Sequence, residues 1–257
     1  MRNYMKGYFL FLLVLCALIC SLFTTCSKQI PQGRLPDGYI ALTFDDSSVG
    51  NWYANLPVLE SLGIKATFYV SNYHALTSAD KQLLKEIRTR GNEIGYHSTN
   101  HKNLVKLLYS SSDGWSKVYQ EINTDLELMR RDGFVITDFA YPYGRHDAAL
   151  DRELLKTFRT VRAVTNKTNF YQSLATDAAC DKQVLFAAHV DVRTFLSDSD
   201  LGNLLSKAKD KKACAILFAH QINLPSSKYQ IDSNKLKLIA DKAKELNLQF
   251  ITVDQLH

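Results

Sequence analysis

Proline and glycine are scarce, with five and eleven residues among 257, which excludes a collagen-like or linker-dominated chain. Charge of one sign is scarce too. The 31 basic and 26 acidic residues leave a formal charge of +5, too mild a balance for a dedicated nucleic-acid binder. With 46% apolar residues and both signs scattered along the chain, intrinsic disorder is excluded as well. No apolar run reaches the ~20 residues that a membrane-spanning helix needs. The longest, Tyr8 to Phe23, is sixteen residues with Ser21 inside it.

Arg2 and Lys6 precede that run, so residues 1–25 have the layout of an export signal, a positive segment before an apolar one. Removing them takes two cations and no acid, lowers the formal charge from +5 to +3, and leaves enough chain for one large single-core domain. Cysteine usage agrees with export. Cys16 and Cys20 lie inside the apolar run, and Cys26 follows it in Leu22-Phe23-Thr24-Thr25-Cys26-Ser27. That stretch is similar to a bacterial lipoprotein processing site, whose cysteine becomes the acylated first residue, although Phe23 and Thr25 stand where aliphatic and very small residues are usual. A chance cysteine after an ordinary signal, or an uncleaved anchor, is the plainer alternative. For Cys180 and Cys214 a disulfide and two buried thiols are both open. The expected organisation is a signal over 1–25, a tether over 26–38 carrying Pro31, Pro36, Gly33 and Gly38, and one domain over 39–257. The protein is expected to be exported, membrane-anchored or periplasmic, and monomeric, with no nucleic-acid partner.

Within the domain, short β-prone runs alternate with longer helical patterns. The runs over 39–44, 66–70, 93–97, 138–141, 160–164, 185–190, 214–219 and 249–253 predict strands. Helical spacing covers 52–62, 78–90, 115–131, 149–158, 197–209 and 233–246, with Ser78 and Ser233 as helix starts. Strands alternating with helices in this number favour a distorted (β/α) barrel of seven or eight strands over an open doubly wound sheet.

Chemistry gathers at the predicted strand ends. Asp45 and Asp46 end the first strand, where two adjacent carboxylates can reach one cleft although neighbouring strand residues face opposite ways. An acidic solvated turn is the plain alternative for that pair alone. His97 and His101 follow the third strand four residues apart, which puts both imidazoles on one face if the chain turns helical there. Pro142-Tyr143-Gly144 follows the fourth strand as a tight turn, and the strand 214–219 stops at His220. Each is unremarkable singly. In a βα barrel, however, the carboxyl ends of the strands converge on one mouth.

In this order the motifs resemble the polysaccharide deacetylase family, also called carbohydrate esterase family 4 or the NodB homology domain. Thr43 to Asp46 matches its opening motif, His97 to His101 its His-Ser/Thr-x-x-His, Pro142 to Gly144 its turn, Leu217 to His220 its His-terminated strand, and Phe250 to Asp254 its closing strand. The resemblance implies a NodB-type barrel. It implies Asp46, His97 and His101 as ligands of a divalent metal, usually Zn2+, with Co2+, Ni2+ or Mn2+ as substitutes. It also implies Asp45 as general base, His220 as general acid, and the Tyr143 N–H of the Pro142 turn as an oxyanion donor, acting on an acetylated glycan.

The chain departs from the family at Ala140, where an Arg usually orients the catalytic Asp. Arg145, Arg162 and Arg193 are the candidates to supply that guanidinium, with Arg162 ahead because it would be awkward to bury unpaired in the fifth strand. Asp191 is the best match for the Asp that adjusts the catalytic His; it lies far in sequence from both tryptophans, Trp52 and Trp115. His189 is expected to be a structural neighbour, His74 and His146 loop residues, the latter a candidate to line the cleft. Tyr53, Tyr73, Tyr96, Tyr141 and Tyr143 are candidates for stacking on sugars, with ordinary packing expected for most. Segments 102–114 and 171–182 are expected to shape the groove. An O-acetyl esterase, or a glycan-binding protein with a degenerate site, are the alternative functions.

Overall fold

The computed structural model describes residues 37–175 and 183–256. The expected signal, Cys26, most of the tether and Cys180 lie outside these residues. The strands are β1 (Gly38–Asp46), β2 (Ala66–Val70), β3 (Glu93–Tyr96), β4 (Asp138–Ala140), β5 (Thr160–Val164), β6 (Leu174–Ala175), β7 (Gln183–His189), β8 (Cys214–Ala219), β9 (Gln221–Ile222), β10 (Gln230–Ile231) and β11 (Leu248–Phe250). Seven of them, β1 to β5 with β7 and β8, are parallel neighbours, and β1 meets β8 to close the barrel. The eighth expected strand is shorter than its apolar run and does not enter the ring. It pairs as β11 with only the first residues of β1, Gly38 to Ile40, below the point where β2 takes over that edge from Leu42 onward.

Helices cover the outside: α1 (Val49–Ser61), α2 (Ser78–Thr89), α3 (Leu104–Leu108), α4 (Gly114–Arg131), α5 (Ala148–Leu154), α6 (Asp198–Lys211) and α7 (Ser233–Leu246). Ser78 and Ser233 are first helical residues rather than caps. The caps stand one residue earlier, Thr77 in a reciprocal capping box with Asp80 and Asp232 accepting from the Lys235 N–H at 2.8 Å. A side-chain oxygen there satisfies an N–H that has no intrahelical partner.

Strand alternation sorts the core into two compartments. Ile40, Leu42 and Phe44 of β1 join Trp52, Leu56 and Leu59 of α1 in the outer layer. Ala41, Leu185, Ala187, Ile216 and Phe218 fill the barrel interior, plugged by Ile251, Val253 and Leu256. Cys214 is a buried free thiol, its pKa pushed up to about 12 by burial. Gly95 is required beside Tyr69, its register partner on β2, because a Cβ there would lie 2.5 Å from the tyrosine ring.

Candidate active site

The parity that buries Ala41 also points Asp45 inward, at the carboxyl end of β1, where it is 3% exposed. Asp46 would face outward, but its φ of 87° breaks the strand and swings the second carboxylate toward the same mouth. His97 ends β3. Its Nδ1 donates to the Ala140 carbonyl at 2.8 Å, which leaves Nε2 as the free lone pair. His101 arrives differently from expected. The segment between His97 and Asn103 is irregular, not helical, with left-handed Ser98 (φ 68°) and His101 (φ 54°), and this turn brings the two imidazole rings to 4.9 Å.

Glu121 of α4 holds that loop. Its buried carboxylate accepts from the Ser98 hydroxyl at 2.9 Å, the Asn100 N–H at 2.6 Å, the Asn100 side-chain amide at 2.9 Å and the Lys102 N–H at 3.3 Å. Its own carbonyl accepts from the Thr99 N–H at 3.0 Å. A signal for this was present in the sequence: Glu121 and Asp125 fall on the buried stripe of α4, between Val118, Ile122, Leu126 and Met129. Asp125, beneath the same loop, accepts from the His74 N–H at 3.1 Å and meets its imidazole at 3.0 Å.

The Asp46, His97 and His101 ligand atoms all lie within 4.8 Å of one another. Asp46 Oδ1 is 3.8 Å from His97 Nε2 and 3.3 Å from His101 Nε2. Ligands ~2.0–2.1 Å from a tetrahedral zinc stand a little over 3 Å apart, and one carboxylate with two imidazoles suits a borderline cation. Burial holds His97 down at about 4 against the pull of Asp45 and Asp46, so its imidazole stays neutral, the form that ligates. The residues present therefore fit a divalent metal.

Asp45 stands beside them, with Oδ2 3.9 Å from His97 Nε2. The position that lacks a guanidinium, Ala140, is the β-register partner of Arg162 on the adjacent strand. From there Arg162, fully buried, sends Nη2 to Asp45 at 2.5 and 2.6 Å. Its guanidinium also lies between the rings of Tyr69 and Phe218, 5.2 and 5.0 Å from their centroids. Burial alone would raise the Asp45 pKa. The charge of Arg162, aided by His97 and His220, overcomes it and holds the carboxyl below its ordinary value. Arg145 and Arg193 are exposed and do not reach it.

On the opposite side, His220 Nδ1 meets Asp191 Oδ2 at 2.5 Å, and the His220 backbone N–H donates to Asp191 Oδ1 at 3.1 Å. Burial would lower the His220 pKa, yet the Asp191 hydrogen bond and the nearby carboxylates raise it. His189 shares Asp191 Oδ2 at 2.8 Å. Trp52, remote in sequence, donates its indole N–H to the His220 carbonyl at 2.7 Å; nothing in the sequence pointed to that contact. At the mouth, just past the carboxyl end of β4, Pro142 is buried while Tyr143 is left-handed (φ 61°) and 64% exposed. The turn's hydrogen bonds run from Gly144 to Tyr141 and from Arg145 to Pro142, and neither uses the Tyr143 N–H. Gly144 is required because a Cβ would strike Val164 at 2.4 Å.

These residues line one cleft of about 390 Å³, with Asp45, Asp46, His97, His101, Tyr143 and His220 all in its wall. Tyr229, unanticipated, completes the rim with its ring 5.3 Å from that of His220. As expected for most of the candidate stacking tyrosines, Tyr73, Tyr96 and Tyr141 are buried in the core and Tyr53 bonds Glu86 at 2.6 Å; Tyr143 is the one of the five that lines the cleft. Two expectations need correction. His146 packs against Phe186 and meets Asp151 at 3.0 Å rather than lining the cleft. Within 171–182, Leu174 and Ala175 pair as β6 with the start of β8, at the far end of the barrel from the mouth.

The polysaccharide deacetylase family matches this chain over residues 32–160. Among curated proteins none matches. Solved structures share the fold. The chitin deacetylase of the fungal pathogen Colletotrichum lindemuthianum is 16% identical with a TM-score of 0.56, covering 86% of this chain and 87% of that one. The peptidoglycan deacetylase PdaC of Bacillus subtilis is 21% identical with a TM-score of 0.52, covering 85% and 89%. A family 4 carbohydrate esterase from Streptomyces lividans, in complex with acetate, is 17% identical with a TM-score of 0.52, covering 85% and 94%.

Proposed function

The chain belongs to the polysaccharide deacetylase family, and we propose that it is a metal-dependent hydrolase removing acetyl groups from an N-acetylated glycan at the bacterial cell envelope. The observation that carries this reading is the single cleft in which the metal-competent triplet lies between a fixed carboxylate and a fixed imidazole. Asp46, His97 and His101 would hold the cation. Zinc fits them, and when bound it would acidify water and polarise an acetyl carbonyl.

Asp45 is the proton acceptor, kept ionised and aimed by Arg162. His220 is the proton donor to the leaving nitrogen. Asp191 holds its Nδ1, so Nε2 is the atom that delivers the proton. The Tyr143 N–H donates to the oxygen on which charge develops, from a backbone already fixed in the required conformation. The Arg162–Asp45 pair favours catalysis over a degenerate glycan-binding site, since it supplies the charge that Ala140 lacks. The test is acetate release from a panel of N-acetylated and O-acetylated glycans, with and without chelator. Chelator-sensitive release from N-acetylated members supports the proposal; release from O-acetylated members alone would replace it with an esterase.

For location, the apolar run and Cys26 support export followed by lipid anchoring, and the domain is proposed to act as a monomer. Among the described residues no helix is long and apolar enough to cross a membrane. Cys26→Ala should move the protein from the membrane fraction to the soluble one; unchanged partitioning would dismiss the anchor.

A further inference from the structure

The alternation that turns Leu185 and Ala187 of β7 into the barrel also turns His189 inward. His189 is the register partner of Phe218 on β8, and its ring lies on the phenylalanine, with centroids 4.9 Å and planes 25° apart. Its carbonyl accepts from the Thr194 hydroxyl, which fixes the backbone that carries it. The imidazole lines the catalytic cleft and stands edge-on to His220, with centroids 6.0 Å apart.

Held this way, the ring aims Nε2 at Asp191. One oxygen of that buried carboxylate, Oδ2, meets both His189 Nε2 at 2.8 Å and His220 Nδ1 at 2.5 Å, while Oδ1 takes the His220 backbone N–H. Burial would raise the Asp191 pKa, and the bonds from His189 and His220 hold it below its ordinary value. A donor on Oδ2 stabilises the Asp191 anion by itself, and so lessens what that anion gains from a charged His220. The other groups facing His220 are Asp45 and Asp46 of β1, which favour its charged form, with Arg162 bonded to Asp45. The Tyr229 ring stands 5.3 Å away, and the Trp52 N–H is spent on the His220 carbonyl.

We infer that His189 is a positioning residue that acts on the proton donor through Asp191: by sharing Oδ2 it sets how firmly that carboxylate keeps a proton on His220. The inference rests on the reading of His220 as the general acid. His189→Phe and His189→Met keep an apolar side chain against Phe218 and remove the donor, whereas His189→Gln keeps an N–H where Nε2 stands. With the full zinc-loaded protein, two quantities are followed against pH: kcat/KM on an N-acetylated oligosaccharide, whose alkaline limb reports the free enzyme's acid, and the His220 imidazole signals by NMR. In the Phe and Met variants both should move up by about 0.5–1 pH units, the equivalent of part of one hydrogen bond to a charged group. His189→Gln should match the wild type in both. In an Asp191→Asn background His189→Phe should cause no further shift, because the path between the two rings is gone. An unmoved His220 titration in whichever apolar variant folds, an equal shift in His189→Gln, or a full shift in the Asp191→Asn background would overturn the inference. A raised His220 titration in protein that releases no acetate from any substrate would instead leave the role of His189 standing and remove the deacetylase reading.

Discussion

Burial acts on Asp45 and His97 in the same physical way and with different chemical results. Both lose water, which disfavours charge. His97 yields and stays neutral, its pKa about 4, the form in which an imidazole can ligate a metal. Asp45 does not yield, because Arg162 lies at 2.5 Å. Arg162→Ala should therefore leave a buried carboxylate without its cation, costing roughly 3–5 kcal/mol of stability along with most turnover. Denaturant unfolding of the variant checks the first part, and an unchanged midpoint would show the pair to be dispensable. Asp45→Asn should keep the metal and lose turnover by about 10²–10⁴-fold, the usual contribution of a positioned base; loss of metal in that variant would make Asp45 a ligand instead. His220→Ala should damage amide hydrolysis far more than hydrolysis of an activated ester, which needs no proton donor for its leaving group. Equal damage to both would remove His220 from the acid role.

Between elements, the register of β4 and β5 explains how a missing arginine is replaced. Ala140 and Arg162 are cross-strand neighbours, so a guanidinium rooted one strand over reaches the same carboxylate. Ala140→Arg alone should reduce turnover, because the space is filled. Ala140→Arg combined with Arg162→Ala should recover activity relative to Arg162→Ala, whereas no recovery would mean that the root of the arginine matters as well as its charge. The loop–helix contact makes a second claim. Glu121→Ala should weaken metal affinity by about 10–100-fold, the range for groups that orient ligands, as read by chelator competition; unchanged affinity would reduce Glu121 to a packing residue. Much of this was legible in sequence. The strand-end motifs and the choice of Arg162 need only alternation and the cost of an unpaired buried charge. The His-x-x-x-His spacing suggested a helix, and the loop differs because Glu121 satisfies its N–H groups instead. Trp52 and Tyr229 were illegible, since their contacts depend on how α1 and the segment after β9 fold back over His220.

Across the whole molecule, the barrel separates chemistry at one end from a different electrostatic arrangement at the other. Seven strands close it and not eight because β2 occupies the edge of β1 from Leu42 onward, a competition that apolar patterning alone does not reveal. At the far end Glu93 begins β3 and Asp138 begins β4. Burial, then the charges of Asp138 and Asp254, push the Glu93 pKa well above its ordinary value. A carboxyl with a raised folded pKa holds a proton that the unfolded chain releases, so stability is lost as pH rises above ~4.3. Glu93→Gln, which keeps the bonds from Thr67 and the Asp254 N–H, should unfold at higher temperature than wild type at pH 8 and equally at pH 4; a gap independent of pH would contradict the shared burial of these acids. The mouth carries the central claim, and it is tested by titrating metal-stripped protein with Zn2+ while following acetate release from an N-acetylated oligosaccharide. The account predicts activity that rises to a plateau at about one equivalent, as expected for a single catalytic site with open positions, and that is absent from Asp46→Ala at the same zinc concentrations. Acetate release that ignores zinc, or that survives in Asp46→Ala, would contradict it.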